Sequence, residues 1–392
     1  MQRRSFLKGS GAVIVVVVGA GVWRAYDEGV FSVGEGPAYQ PWKDWQNEKD
    51  GPLALVRAAI LAASPHNTQP WLFKVTDNQI ELYADTGRYP GALDPYLREQ
   101  HIGLGCALEN LMLAAAANGY NATSTLLPGK LQPVPSNTQP ALVAHVDLSP
   151  GNRQASELYD AIPHRHTNRA PYDVLKPVPA EVMDALNALV NEEPEVKIFL
   201  FNSESDRNRI VEIVAKANKE VYADPEVEHG SEHWIRWDWS DVQKHCDGLT
   251  IDAFGLPPVT TAIIKFSPKR LLRKFASRGN GDPYADLLRA TPVFGLIAVR
   301  DRYDQEQCLR AGRIWQRAHL LLTSRGVAGR PVNEAVELID HERLRNQEPR
   351  ASAQLADLTH DATWQPTFMF RLGYPIRPAL ASPRRPVKDV II

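Results

Sequence analysis

"LGCALENLMLAAAANGY", residues 104–120, and "AGRIWQRAHLLLTSRGV", residues 311–327, align without a gap. Gly105 falls opposite Gly312, Glu109 opposite Gln316, Leu113 opposite Leu320 and Gly119 opposite Gly326. Each run reaches a glycine where a helix C-cap belongs, because glycine takes the left-handed conformation there without strain. The first run is apolar on nearly every side, apart from the Glu109-Asn110 pair. A helix of that composition is buried on several faces. One such helix in each half of the chain predicts a pseudo-symmetric core in which the two pack together.

Strand-length apolar runs surround them: 71–75, 79–84, 141–146, 196–201, 293–299 and 367–372. In the second of these, Ile80, Leu82 and Ala84 share one face, as alternation in a half-buried strand requires. Helices are expected over 53–63, 101–118, 179–190, 204–222 and 306–325. The pattern is α+β, with a first half over 51–150 and a second over 151–392. Residues 229–266 break the regularity with Trp234, Trp237 and Trp239 and then Gly255-Leu256-Pro257-Pro258. A long aromatic insertion of this kind reads as a lid. Its histidines, His229, His233 and His245, match no standard ligand spacing, so no metal is assigned.

Composition sets the outer bounds. The 392 residues are 44% hydrophobic and 23% charged, which suits a globular protein with a real core. A formal net charge of −2 gives no basic surplus for nucleic acid. Three cysteines, Cys106, Cys246 and Cys308, fit neither a disulfide framework nor a CxxC site and read as buried thiols. At the N-terminus, Arg3-Arg4 precede an apolar run over 9–22. That run is shorter than the roughly 20 residues a membrane span needs. "RRSFLK" resembles a twin-arginine (Tat) export signal, so residues 1–25 are expected to engage the Tat translocase and place the protein in the periplasm or anchored facing it. No A-x-A cleavage site is evident, which leaves cleavage and retention both open. "VIVVVVGAGVWR", residues 13–24, imitates a dinucleotide-binding turn, but Arg24 stands where the third glycine is required. Residues 26–50, rich in Gly, Pro, Trp and charge, read as a linker packed on the surface.

Three clusters carry chemistry. "SPHNTQPW", residues 64–71, crowds Ser64, His66, Asn67 and Gln69 between two prolines at a helix-to-strand junction. "HRHTNR", residues 164–169, offers Arg165, His166, Thr167, Asn168 and Arg169. "SPRRP", residues 382–386, adds Arg384 and Arg385. The planar guanidinium fork matches a phosphate, and no glycine-rich phosphate loop is present. Read alone, the second cluster fits a solvated charged loop equally well.

Together and in this order, the motifs resemble the nitroreductase-like FMN flavoproteins. "SPHNTQPW" looks like their S-x-x-N-x-Q-P-W motif, "RHTNR" before "PVP" like their phosphate clamp, and residues 104–120 like their central helix. The resemblance spans about residues 50–392 and is greatest to the Acg-type branch, in which the two subunits of a dimer are fused into one chain under a lid. It implies a nitroreductase-like fold of two fused pseudo-symmetric halves, each a mixed sheet flanked by helices, in a monomer with a pseudo-dimer core. It implies FMN as cofactor, with Ser64, His66, Asn67 and Gln69 along the flavin and its ribityl chain. Arg165, His166 or Thr167, Asn168 and Arg169 would hold the phosphate, completed by Arg384 and Arg385. The implied activity is an FMN-dependent oxidoreductase drawing electrons from NAD(P)H or another donor and reducing nitro, quinone or related electron-poor compounds. The alternative is a non-catalytic FMN-binding or storage protein. No catalytic residue is assigned. The loop at 64–71 is two residues shorter than the common form of the motif, which leaves the roles of Ser64 and His66 open.

Overall fold

The computed structural model describes residues 32–46, 51–133, 139–266 and 282–392. The export-signal reading falls on residues 1–25, outside these.

Two four-stranded sheets carry the fold. The first orders β1 (Trp71–Val75), β2 (Gln79–Ala84), β4 (Ala141–Pro150) and β3 (Tyr120–Leu126) as β1-β2-β4-β3. The second orders β5 (Val196–Phe201), β8 (Val293–Val299), β10 (Gln365–Gly373) and β9 (Ala328–Pro331) as β5-β8-β10-β9. The two orders are the same once β1, β2, β3 and β4 are matched to β5, β8, β9 and β10. In each half a long helix joins the second strand of the set to the third: α2 (Arg98–Asn118) in the first and α9 (Gln305–Ser324) in the second. The helix α1 (Leu53–Ala59) precedes the first set and α3 (Ala180–Ala188) the second. This is the pseudo-symmetric α+β arrangement that the repeat predicts. All the ladders within these sheets are antiparallel. The mixed sheets expected for each half are therefore corrected: among the described residues, parallel pairing reaches them only at one edge, where Phe73 bridges Ile391. There Phe73 N donates to Val390 O and Ile392 N to Phe73 O, so the tail of the second half closes the sheet of the first.

The local axis of the repeat passes between α2 and α9. A Cβ on Gly105 would sit 2.1 Å from Leu309 O, and one on Gly312 would sit 2.0 Å from Ile102 O. The two near-clashes exchange the same pair of sequence positions, as a twofold contact must. Only glycine at both crossing points lets the backbones touch. Around the crossing, Glu109 Oε2 and Oε1 accept from Arg313 Nε and Arg317 Nε at 2.8 and 2.7 Å. Gln316 Nε2 donates to Asn110 Oδ1 at 2.8 Å. These are hydrogen bonds between halves with charge as well as apolar surface behind them.

The halves differ in what is inserted. Between β5 and β8 lie α4 (Glu204–Val221), α5 (Pro225–His233), β6 (Ile235–Arg236), α6 (Trp239–His245), β7 (Leu249–Thr250), α7 (Pro258–Phe266) and α8 (Pro283–Arg289). Between β9 and β10 lie α10 (Glu334–Leu344) and α11 (Arg350–Thr359). The stretch expected to be a surface linker is instead packed in where it is described: Ala38, Tyr39 and Trp45 are buried. Cys106 and Cys308 are buried thiols and Cys246 is half-buried, all three unpaired.

Candidate functional site

A cavity of about 460 Å³ lies between the halves, beneath the inserted segment. Its floor comes from α2, through Gly103 and Cys106, and from α9, through Trp315. Ser64, Pro65 and His66 form one side, and Ser231, Ile235, Leu249 and Phe254 reach over it from the insertion. Residues 229–266, expected to form a lid, thus contribute one wall of the cavity. Trp234 is its anchor rather than its lining: it is buried, and its Nε1 donates to Tyr89 O at 2.9 Å.

A small recess shares Ala63, Ser64, Thr167 and Arg169 with the cavity wall. Arg165, His166 and Arg384 complete it, with Trp42 behind. Three chain segments meet here because the tail of the second half crosses to the first. Arg165 Nη2 donates to Leu61 O at 3.0 Å, and Arg384 Nη2 to Ala62 O at 3.1 Å. These carbonyls lie in the turn just past the C-cap of α1, Ile60, and cations favour that end of a helix. The Nε atoms of Arg165 and Arg384 are buried without a partner. Among the described residues no carboxylate pairs with Arg165, Arg169 or Arg384. Burial holds Arg165 down to about 10 and Arg169 down to about 9, and burial with Arg165 nearby holds Arg384 well below its usual range. Burial, then Arg165 and Arg384, depress His166 to about 3, so it is neutral. His66 opens toward the cavity rather than solvent; burial and then Arg169 depress it to about 4.

The loop at 64–71 is more than a lining. His66, Asn67 and Gln69 all take positive φ, 47°, 55° and 51°, a costly choice for side chains that are not glycine. The contorted path turns two amides away from the cavity. Asn67 Nδ2 donates to Gly248 O at 3.1 Å and to Pro383 O at 3.0 Å, while its Oδ1 accepts from Arg384 Nη1 at 2.6 Å. Gln69 Nε2 donates to Cys246 O at 2.9 Å, and its Oε1 accepts from Arg385 N at 2.8 Å. Asn67 touches the recess; Gln69 touches neither space and is fully buried. The amide-rich loop is thus a latch that ties the lid and the crossing tail to the first half.

Of the remaining residues expected at the site, Thr167 and Arg169 line both spaces. Asn168 lines neither: its Nδ2 donates to Arg377 O and its Oδ1 accepts from Ala170 N, which shapes the clamp's own turn. Arg385 lines neither as well; its Nη1 donates to Gln69 O at 3.1 Å, on the far side of the latch. The inserted segment also packs against the turn at 169–170. Gly255, at φ 70°, packs so tightly that a Cβ would meet Ala170 N at 2.4 Å.

The far end of the cavity was not visible in the sequence motifs. Glu99, Glu334 and Glu337 line it, with Tyr222, Tyr284 and Arg330. Glu99 opens α2, and Glu334 and Glu337 lie one turn apart on α10. Burial is the main cause that pushes Glu99 up to about 7, raises Glu334, and drives Glu337 well above the carboxylate range. Tyr284 donates to Glu334 Oε1 at 2.5 Å, but Glu334 Oε2 and Glu337 Oε2 have no partner. Trp42, Trp315 and this carboxyl group are the site residues that motif reading missed. For Trp315 a signal existed, since it lies on the inward face of the repeat helix. For Trp42 it did not: its Nε1 donates to Ser382 O at 2.7 Å, a contact set by the tail.

No family model matches the chain. "Putative NAD(P)H nitroreductase Rv3131" of Mycobacterium tuberculosis is 26% identical over 344 residues, covering 86% of this chain and 90% of that protein. "Putative NAD(P)H nitroreductase acg" of the same organism is 32% identical over 125 residues, 30% of this chain and 35% of its own. Among solved structures, the FMN-dependent nitroreductase NfnB from Mycobacterium smegmatis, in complex with NADPH, is 14% identical, with 59% of this chain and 96% of that chain covered and a TM-score of 0.37. Over most of its length the chain is thus nitroreductase-like in sequence.

Proposed function

We propose that the protein is an FMN-dependent oxidoreductase of the nitroreductase-like kind, acting on nitro, quinone or related electron-poor acceptors. One observation carries the reading: Arg165, Arg169 and Arg384 are enclosed around a recess on the cavity wall with no carboxylate beside them. Stranded guanidiniums in a dry site are costly unless an anion joins them. A terminal phosphate fits, because each fork can give it two parallel charge-assisted hydrogen bonds. The unpartnered Nε atoms are free to take part. Thr167 adds a hydroxyl, and neutral His166 adds a ring that does not compete for the anion.

Bound FMN would supply two-electron transfer between a nicotinamide or other donor and the acceptor. The chain's own part is to hold and enclose. Gly103 lets Pro65 close on α2, keeping Ser64 and His66 against the wall. The latched segment covers one side of the cavity and reduces its contact with water, which strengthens polar interactions inside. His66, neutral and hydrogen-bonded through Nε2 to Ser231 Oγ at 2.8 Å, joins that wall to the lid. The alternative, a protein that binds FMN without turning it over, draws support from the latch, since Asn67 and Gln69 hold the lid shut. We further propose that Arg3-Arg4 direct export through the Tat translocase; the Arg3→Lys/Arg4→Lys variant should then stay in the cytoplasmic fraction.

The first test is the visible spectrum of the purified protein and of its heat supernatant. Oxidised-flavin bands with FMN released on heating are expected, and Arg165→Ala should be purified largely colourless. Full FMN occupancy in Arg165→Ala would sink the phosphate assignment. Anaerobic NAD(P)H titration then separates the two readings: bleaching means turnover, and an unchanged spectrum means storage.

A further inference from the structure

We propose that the far end of the cavity is a subsite for an organic ammonium: the acceptor, or a ligand competing with it, carries a primary or secondary amine on an apolar body. The inference deepens the reading of this cavity as the place where a flavin meets its acceptor, and rests on it for the word acceptor.

Three observations converge. First, Glu337 is 6% exposed and lines the cavity, and its Oε2 has no hydrogen-bond partner. Glu334 Oε2, one turn away, is buried and unpartnered as well. Two buried acceptor atoms with nothing to accept therefore sit on carboxyl groups that line the cavity. Second, the surrounding charges do not balance. Asp94, Glu99, Glu334, Glu337 and Asp340 act on one another here, against Arg98, Arg302 and Arg330. The guanidiniums of Arg98 and Arg302 are turned to Asp340, at 2.8 Å each. Arg98 reaches Glu99 only at 3.4 Å, and Arg330 acts on Glu334. Among the described residues lining this end of the cavity, three carboxyls thus face a single guanidinium, that of Arg330. Third, the walls leading there are aromatic: Trp315, Phe254 and Phe368, with the rings of Tyr222 and Tyr284. An ammonium on an apolar body fits both parts, since aromatic faces attract cations and the carboxyls accept its N–H bonds.

Without such a ligand the deficit is met by protons, which agrees with the raised affinity of Glu99 and Glu337 for them. An arriving ammonium lowers that affinity and displaces protons. This gives a mark that a neutral ligand of the same shape cannot leave.

The experiment is calorimetric titration of the purified full chain with benzylammonium chloride and, in parallel, benzyl alcohol, each in two buffers of different ionisation enthalpy at pH 7. Expected is at least tenfold tighter binding of benzylammonium, with a buffer-dependent heat that reports proton release, and loss of both in Glu337→Gln or Glu334→Gln. Equal binding of the two ligands by the wild-type protein overturns the proposal, and so does a preference that survives in both variants. The wild-type comparison decides even where a variant does not fold. The spectrum of the same samples reads flavin separately. A colourless protein that prefers the ammonium overturns the flavin reading alone, and a flavin-loaded protein without the preference overturns this subsite alone.

Discussion

Arg165 and Arg384 at one end of the cavity and Arg98 and Arg302 at the other are all buried guanidiniums, yet they stand in opposite situations. Arg98 donates to Asp340 Oδ2 at 2.8 Å and to Thr367 O, and Arg302 donates to Asp340 Oδ1 at 2.8 Å. Burial alone would lower Arg98, but Asp340 and Glu99 hold it above its ordinary value. Arg165 and Arg384 have carbonyls and an amide for partners and are held low. A buried arginine with its carboxylate is a finished structural part in charge, although Nε and Nη1 of Arg302 lack a hydrogen-bond partner. At Arg165 and Arg384, which have none, the proposed phosphate would supply the missing charge. At the acidic end the finished part, Arg98–Asp340–Arg302, sits directly behind the unfinished one, Glu334 and Glu337.

The largest expected effect tests that distinction. Arg98→Met strands Asp340 and Glu99 and should destabilise the fold by about 3–5 kcal/mol. Arg169→Met removes a guanidinium with one hydrogen bond, to Ala253 O at 3.3 Å, and no carboxylate. It should leave the flavin-free protein within about 1 kcal/mol of wild type, or stabilise it. Its FMN affinity should fall roughly tenfold to a hundredfold, as loss of a charged hydrogen bond implies. Urea unfolding of both variants and FMN titration of Arg169→Met check this. Equal destabilisation by the two substitutions would erase the contrast.

The contrast also explains what was legible in the sequence. The core was readable because Gly105 and Gly312 mark a backbone contact that any side chain would forbid. The arginine recess was readable only through the order of the three motifs, since its Arg, His and Thr run read alone fits a solvated loop equally well. Partners were not readable. Asn67, Gln69, Asn168 and Arg385 are polar groups whose bonds run to Gly248, Cys246, Arg377 and Gln69, segments brought near only by the fold. The acidic end was hidden for a different reason. In "EAVELIDHERL", residues 334–344, Glu337, Asp340, His341 and Glu342 lie on the buried side. Hydrophobic patterning assigns such residues to solvent, so the helix itself went unrecognised. Motif reading finds charge that is dense and local, and misses charge that is buried against the pattern.

An intermediate effect sets the two ends against each other in pH. Glu99 has an ordinary value of 4.5, and burial raises it to about 7 in the fold. Arg98, engaged mainly by Asp340, does not offset this. A raised carboxyl contributes stability that is full below pH 4.5 and is lost as pH rises through about 7, a swing on the order of 3 kcal/mol. His66 acts in the other sense. Depressed from 6.5 to about 4, it contributes stability that is present above pH 6.5 and lost as pH falls through about 4. Glu99→Gln should therefore flatten the neutral side of the stability profile and leave the acid side in place. Urea midpoints between pH 4 and pH 8 would show it, and a neutral limb unchanged in Glu99→Gln would place the acidic end's protons on other groups.

The smallest effect concerns the latch, which belongs to the arginine end alone. Gln69→Ala leaves Cys246 O and Arg385 N without their partners, at a cost of roughly 1–3 kcal/mol if both stay buried. Most of that cost can be avoided by letting the lid open, so the global unfolding midpoint should move little. Local opening should rise instead, by about tenfold in amide exchange for each 1.4 kcal/mol. Faster exchange is expected at Cys246 to Gly248, close to the lost bond, and not along α10, which is fixed by Asp340 and its two arginines. If exchange along α10 rose by the same factor, the lid and the acidic end would open as one unit, and the two ends of the cavity would not be separately built. If it stayed slow, the carboxyls would keep their arrangement while the lid moves, and a charged ligand could be held at one end as the other is uncovered.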